Sequence, residues 1–188
     1  ARWPGMTPAT YAKGGRGTRI AYTVSDSPLD RLLVAATGRG VCAVYLGDDD
    51  SALACELREE FPEAEVHPDD AALAAHVAAV LAAVETGQAD LPLDVRASAF
   101  QAWVWQALRD IPCGQTRSYA EIANAIGVPG AARAVGSACA RNPVSVVVPC
   151  HRVLRSDGGL GGYRWGLPRK QRLLEIEAAI TNARGDRT

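Results

Sequence analysis

The spacing of apolar residues changes character along the chain, and each change marks an element. From Arg19, RIAYTV, RLLVAAT and VCAVYL are short runs rich in β-branched residues, the last two separated by Gly38-Arg39-Gly40. They predict three strands in an antiparallel meander. From Ser51 the spacing shifts to three and four: ALACELREEF makes a helical stripe that Pro62 closes. The acids Asp48, Asp49 and Asp50 just before it are read as a helix cap that complements the dipole, in preference to a cation site. After a polar link, Leu73, Val77, Val80 and Val84 recur at helical spacing until Gly87 stops the pattern.

A second group of elements begins near residue 95. Ser98-x-x-Gln101 forms a capping box ahead of a helix with Phe100, Val104, Leu108 and Ile111 on one face. Trp103 and Trp105 fall within it and are expected in a core or an interface. Ser118-x-x-Glu121 is another capping box, opening YAEIANAI, and Val128-Pro129-Gly130 then turns the chain into a small-residue helix over residues 131–141. Two short helices joined by a glycine-containing turn form a helix-turn-helix pattern. Asn142-Pro143 ends the second, because a residue before proline is pushed out of the α region. VSVVV reads as a buried strand, and the glycine-rich loop that carries Tyr163 and Trp165 reads as a pocket wall. Pro168 suits the first turn of a last helix, with Leu173, Leu174 and Ile180 inward and Glu177 among them.

Composition adds a division that the pattern alone hides. The 188 residues are 48% hydrophobic with a net charge of −1, as expected of a soluble, cytoplasmic chain of one or two small domains without an export signal. Residues 1–94 hold 7 Lys+Arg against 15 Asp+Glu, whereas residues 95–188 hold 13 against 6. The first half is therefore acidic scaffold, and the arginine-rich second half suits a polyanion. Five cysteines with no Cys-x-x-Cys pair argue against a disulfide framework or a zinc site, so no metal is expected. Cys42, Cys55 and Cys139 are expected to fill cores.

Cys150 stands apart, because Pro149 ends the apolar run and delivers Cys150, His151 and Arg152 in succession. A free thiol is mostly protonated at neutral pH and needs a base or a positive setting to act as a nucleophile, and its two neighbours could supply both. The alternative is a packed cysteine before a solvated His-Arg pair. A cysteine hydrolase or thiol redox enzyme would want an oxyanion pocket or a resolving cysteine, and neither is evident. On the helix over 131–141, the outward positions are mainly Ala, Gly and Ser around Arg133. Such a helix has little with which to read base edges but can lie close to a sugar-phosphate surface.

The helix-turn-helix, Arg133, Asn142, PCHRV and GYRWG in this order resemble the methylated-DNA–protein-cysteine methyltransferases, in particular the C-terminal part of Ada-type members. The resemblance covers residues 19–182 and is strongest from Ser98 to Glu177. It implies an α+β fold: a ribonuclease-H-like αβ roll with a three-stranded antiparallel sheet over 19–94, and a winged helix-turn-helix-like domain over 95–182. Residues 1–18 are then a linker or remnant, similar through Gly5-Met6-Thr7-Pro8 and Tyr11 to the end of AraC-type modules, and 183–188 a flexible tail. The resemblance further implies irreversible transfer of the methyl group of O6-methylguanine, and of O4-methylthymine, in duplex DNA to Cys150. The chain would act once per molecule, as a monomer, without a cofactor and away from membranes. His151 would act as base through a water, Glu177 would hold its ring, Tyr119 would assist the leaving base and Asn142 would hold the turn. Arg133, Ala131, Ala132, Gly136 and Ser137 would meet DNA, with Arg133 filling the place of a flipped nucleotide. Val153, Tyr163, Arg164 and Trp165 would line the pocket, the last two narrowing it toward methyl. A non-catalytic lesion sensor, or the repair module of a transcriptional regulator, is the alternative.

Overall fold

The computed structural model describes residues 14–185; the AraC-like segment with Tyr11 and residues 186–188 lie outside the described residues. β1 (Arg19–Ser27), β2 (Asp30–Thr37) and β3 (Gly40–Gly47) form the expected meander, with Thr23 opposite Val34 and Val34 opposite Val44. Leu32 to Ala36 and Val41 to Leu46 are buried at every position. Both faces of these strands are therefore covered, and their apolar runs are continuous instead of alternating. The sheet is not three-stranded and wholly antiparallel as expected. A fourth strand, β4 (Glu65–Pro68), pairs parallel to β1 and gives a mixed sheet of order β3-β2-β1-β4. None of its four residues is fully buried, so it leaves no hydrophobic pattern to read. The β1 backbone recruits it as an edge, where a terminal proline is tolerated.

α1 (Asp50–Glu60) starts as the acidic run implies, with the Asp49 side chain accepting from the Ala52 amide at 2.8 Å. Its inward stripe is Leu53, Ala54 and Leu57. Cys55, expected in the core, is exposed, because it lies about 200° round the helix from Leu53. α2 (Asp70–Thr86) buries Leu73, Val80 and Val84.

The chain divides into two compact units that interleave in sequence. The first runs to Leu81 and adds Asp90–Arg96 and Pro143–Ser145. Those added segments cover the free edge of β3: the Val41 amide donates to Pro92 O at 2.9 Å and the Val44 amide to Pro143 O at 2.8 Å. An open strand edge is thus satisfied within its own unit.

The second unit comprises Ala82–Ala89, Ala97–Asn142 and the chain from Val146 onward. Here α3 (Ala99–Arg109), α4 (Tyr119–Ala125) and α5 (Ala132–Ala140) pack on one another, and both expected capping boxes form. Trp105 is buried, its indole N–H donating to Ala138 O at 3.0 Å. Trp103, two positions away on the helix, is 57% exposed, contrary to the expectation of a core or interface. The parallel pair β5 (Arg117–Ser118) and β6 (Val153–Leu154) and the long α6 (Leu167–Gly185) complete the unit. The architecture is α+β, with the sheet in one unit and most helices in the other. Among the described residues no helix is long and apolar enough to cross a membrane.

Candidate active site

The residues after α5 are buried, yet they are not the expected strand. Val144 makes a single bridge to Val44, and Val146 adopts a φ of 72°, a left-handed conformation that a β-branched residue rarely takes. A short apolar run marks an interior segment without saying whether it is extended. Asn142 ties this turn down: buried itself, its Nδ2 donates to Val148 O at 2.8 Å and reaches Cys150 Sγ at 3.3 Å. Cys150, His151 and Arg152 then form one turn of 3-10 helix and are all buried. β6 follows at once and pairs with β5, Arg117 opposite Val153, while β5 runs straight into α4. That two-residue pairing delivers Tyr119, the first residue of α4, to the cleft that holds Cys150.

His151 and Arg152 both turn toward α6, where Glu177 is 3% exposed. His151 Nε2 lies 2.9 Å from Glu177 Oε1, and Arg152 approaches both carboxylate oxygens, its Nη2 at 2.7 Å from Oε1. The Gly114 amide donates to Oε2 at 3.1 Å. Arg152 is further fixed by Ile111 O and Gly87 O, each at 2.6 Å. Gly87 can offer its carbonyl there because it is glycine: its φ is 72°, and a Cβ would come within 2.2 Å of Cys113 Sγ. Burial alone would raise the Glu177 pKa, but the hydrogen bonds from His151 and Arg152 outweigh it and bring the carboxyl down to about 2. Burial lowers the pKa of His151 more than the Glu177 carboxylate raises it, so the ring is neutral at neutral pH. Facing a carboxylate, Nε2 must carry the proton. The lone pair is then on Nδ1, which is buried without a protein hydrogen-bond partner.

Both shifts have one consequence for stability. The folded chain holds protons on His151 and Glu177 less readily than the unfolded chain, so acid favours unfolding. The His151 contribution is complete above about pH 6.5 and declines below it, and that of Glu177 declines from about pH 4.5 toward its folded value. Thermal melts in buffers from about pH 8 to pH 3 should therefore show Tm falling in two stages, with Glu177→Gln shrinking the more acid one, to which Asp49, Asp50 and Glu121 also contribute. A Tm flat across that range would refute the assignment.

The cleft beside Cys150 encloses about 620 Å³. Tyr119 and Ala120 line it from α4, Ala132, Arg133, Gly136, Cys139 and Ala140 from α5, and Arg155, Ser156, Gly162, Tyr163 and Arg164 from the loop beyond the thiol. Burial, together with the nearby Cys139 and Cys150 thiols, raises the pKa of Tyr119. The structure thus brings Cys150, Tyr119, Arg133, Ala132, Gly136, Tyr163 and Arg164 to one cavity. Asn142, His151 and Glu177 stand behind the thiol. Ala131 and Ser137 are outside the cavity lining, Ser137 being exposed. Val153 and Trp165 are buried and do not line it either, although the Arg164 guanidinium lies 4.7 Å over the Trp165 ring.

Sequence reasoning missed Arg152 as the partner of Glu177, Cys139 and Ser156 as cleft residues, and Lys170 altogether. Lys170 is 0% exposed. Its signal was present: Lys170, Leu173 and Glu177 recur at three- and four-residue spacing, so two charges flank Leu173 on the inward stripe of α6.

Two family models cover most of the chain: the ribonuclease-like domain of 6-O-methylguanine DNA methyltransferase over residues 20–95, and the DNA binding domain of the same enzyme over residues 99–179. The methylated-DNA–protein-cysteine methyltransferase of Mycobacterium bovis is 41% identical over 162 residues, covering 84% of this chain and 92% of its own. The chain belongs to this methyltransferase family. The Escherichia coli bifunctional transcriptional activator/DNA repair enzyme Ada is 51% identical over 176 residues, 93% of this chain. The chain spans 50% of the length of that relative. Among solved structures, Mycobacterium tuberculosis OGT in complex with DNA matches with a TM-score of 0.71 and 39% identity, covering 86% of this chain and 94% of that one. The two family models together span residues of both units.

Proposed function

We propose that this chain repairs alkylated DNA by moving the methyl group of O6-methylguanine, and of O4-methylthymine, in duplex DNA onto Cys150, once per molecule. The observation that carries this reading is Cys150 at the base of the cleft, with Asn142 Nδ2 at 3.3 Å from Sγ and a neutral, Glu177-held His151 next in the chain. The duplex lies along α5, whose Ala132 and Gly136 allow close approach of the sugar-phosphate surface. The damaged base leaves the stack and enters the cleft, and Arg133 takes its place.

Nδ1 of His151 accepts the thiol proton through a bridging water, and the Nε2–H bond to Glu177 holds the ring as it charges. The thiolate attacks the methyl carbon, the S–C bond forms as the C–O bond breaks, and the electron pair departs with guanine. Tyr119 stabilises or protonates the leaving base; burial keeps its hydroxyl protonated. Water does not displace the cysteine thiolate from the methyl carbon of the resulting thioether, so nothing resets the enzyme. Asn142 keeps the turn before Cys150 in place, and Tyr163 and Arg164 face the base across the cleft. The acting species is a cytoplasmic monomer on DNA.

Intact-mass analysis after incubation with a duplex bearing one O6-methylguanine tests the proposal. One methyl group should be gained and map to Cys150, and Cys150→Ser should gain none while still binding the duplex. A wild-type chain that stays unmodified would refute it.

A further inference from the structure

Of the five cysteines, Cys139 and Cys150 line the cleft, while Cys42, Cys55 and Cys113 do not. Ala132, Gly136, Cys139 and Ala140 recur at three- and four-residue spacing, so one side of α5 forms the wall that carries Cys139. Gly136 faces the Tyr119 ring, where a Cβ would lie 3.8 Å from Cδ1 and Cε1. On this wall of Ala and Gly, Cys139 supplies a reactive atom. The alkyl transfer described above uses Cys150 and leaves Cys139 idle.

One residue, Asn142, binds the segments that hold the two thiols. Its amide donates to Cys139 O at 3.2 Å, and its Nδ2 donates to Val148 O at 2.8 Å and to Cys150 Sγ at 3.3 Å. Both thiols also lie near one charge. The Lys170 ammonium donates to Val153 O at 2.6 Å and Gly162 O at 3.3 Å, and Cys150 and Cys139 favour its charged form against the effect of burial. The two sulfurs differ in setting. Burial and the neighbouring Cys150 push the Cys139 pKa up, so Cys139 stays a thiol at neutral pH. Cys150 receives the Asn142 donor, and a hydrogen bond to sulfur favours the thiolate. Cys150 is thus set to react first and Cys139 to follow.

We propose that Cys139 and Cys150 form an oxidisable dithiol, in which a hydroperoxide converts Cys150 to a sulfenic acid and Cys139 resolves it to a disulfide. The Cys150 thiolate attacks a peroxide oxygen; the S–O bond forms, the O–O bond breaks, and the departing hydroxide leaves as water with the proton that the thiol gave up. The Cys139 sulfur then attacks the Cys150 sulfur. The S–S bond forms as the S–O bond breaks, and the second hydroxide leaves as water with the Cys139 proton. With hydrogen peroxide, two thiols lose two electrons and one peroxide becomes two waters. Cys139 is the last residue but one of α5, so the approach that a disulfide requires falls on a helix end, the part that frays most readily. The linked form cannot accept a methyl group, but a thiol reductant restores it, whereas sulfinic acid at an unresolved Cys150 is not reversed by thiols. For an acceptor that acts once per molecule, the second thiol preserves the first. The inference rests on the reading of Cys150 as the reactive thiol of the cleft.

Reduced wild type, Cys139→Ser and Cys150→Ser are each treated with hydrogen peroxide in the absence of DNA. Remaining thiols are blocked with N-ethylmaleimide, and the products are read by intact mass and by non-reducing peptide maps. The wild type should lose two hydrogens and yield a peptide pair joining Cys139 to Cys150. Its capacity to take a methyl group from a lesion duplex should fall in proportion to the linked fraction and return with dithiothreitol. In Cys139→Ser, Cys150 should gain two oxygens as the sulfinic acid, and the capacity lost relative to the untreated variant should not return with dithiothreitol. Cys150→Ser should keep Cys139 as a free thiol.

Sulfinic acid forming at Cys150 as fast in the wild type as in Cys139→Ser would overturn the inference, as would a link from Cys150 to Cys42, Cys55, Cys113 or a second molecule in place of Cys139. Should Cys139→Ser not melt cooperatively, the wild type decides by itself. Excess peroxide should leave the disulfide as its main product, because a linked sulfur has no thiolate to oxidise further, and sulfinic acid as the main product would count against the dithiol. The peptide maps are made without DNA and stand apart from alkyl transfer. A wild type that forms the link but never takes a methyl group would uphold this inference and overturn the methyl-acceptor reading.

Discussion

Arg152→Leu is expected to destabilise the second unit by about 3–5 kcal/mol, the usual result of leaving one charge of a buried pair unmatched. The wild-type carboxylate of Glu177 is ionised only because donors surround it, and Arg152 supplies three of the contacts: Nε to each oxygen at 3.0 Å and Nη2 at 2.7 Å. Leucine removes these and also leaves Ile111 O and Gly87 O without the guanidinium that meets them at 2.6 Å. With the His151 ring and the Gly114 amide as its remaining donors, Glu177 should take up a proton at higher pH than in the wild type. Its link to His151 then weakens from a charge-assisted bond to a neutral one. Urea unfolding at neutral pH measures the loss, which would take a large share of the 5–15 kcal/mol typical of a domain. A double-mutant cycle with Glu177→Gln separates pair from context. Arg152→Leu should cost less in the Glu177→Gln background, since no buried charge is left behind. A loss of under about 1 kcal/mol in the wild-type background would mean that the ion pair does not hold this turn.

How far the sequence disclosed this arrangement depended on whether a residue's partner was near in the chain. Ser98 with Gln101, Ser118 with Glu121 and Asp49 with Ala52 are local hydrogen-bonding units, and all three form as expected. β4 escaped because its partner, β1, is some 46 residues away and EVHP carries no apolar alternation of its own. The turn through Val146 escaped for a different reason: burial made the segment uniformly apolar, and uniform apolarity is also what a buried strand requires. Periodicity misplaced Cys55 and Trp103, each two positions from a truly inward residue, where a helix has already turned to its other side. The chemistry of Cys150, His151 and Glu177 became legible through the family resemblance, since 26 residues separate His151 from Glu177. Arg152 and Lys170 looked like members of a basic surface, and only tertiary structure shows their charges turned inward on a carboxylate and on carbonyls.

Arg133→Ala should reduce transfer from a duplex lesion by roughly 10²–10³-fold at limiting protein, the rate equivalent of the few kcal/mol needed to unstack and extrude a paired base. Arg133 is exposed, stands on α5 among residues with short side chains, and lines the cleft that contains Cys150. Its neighbours Ala132 and Gly136 bring no length to fill a gap in a base stack, so no nearby side chain on the helix can replace it. Alanine is the strongest helix former, and the site is a surface one, so stability should stay within about 0.5 kcal/mol of the wild type. The decisive comparison is between substrates. A lesion in single-stranded DNA needs no extrusion from a paired stack, so Arg133→Ala should approach the wild-type rate there while remaining slow on duplex. Arg133→Lys, which restores charge and length without the planar guanidinium, should recover duplex repair in part. Equal losses on single-stranded and duplex substrates would assign Arg133 to general phosphate attraction, and the salt dependence of duplex binding would then fall by about one unit of slope.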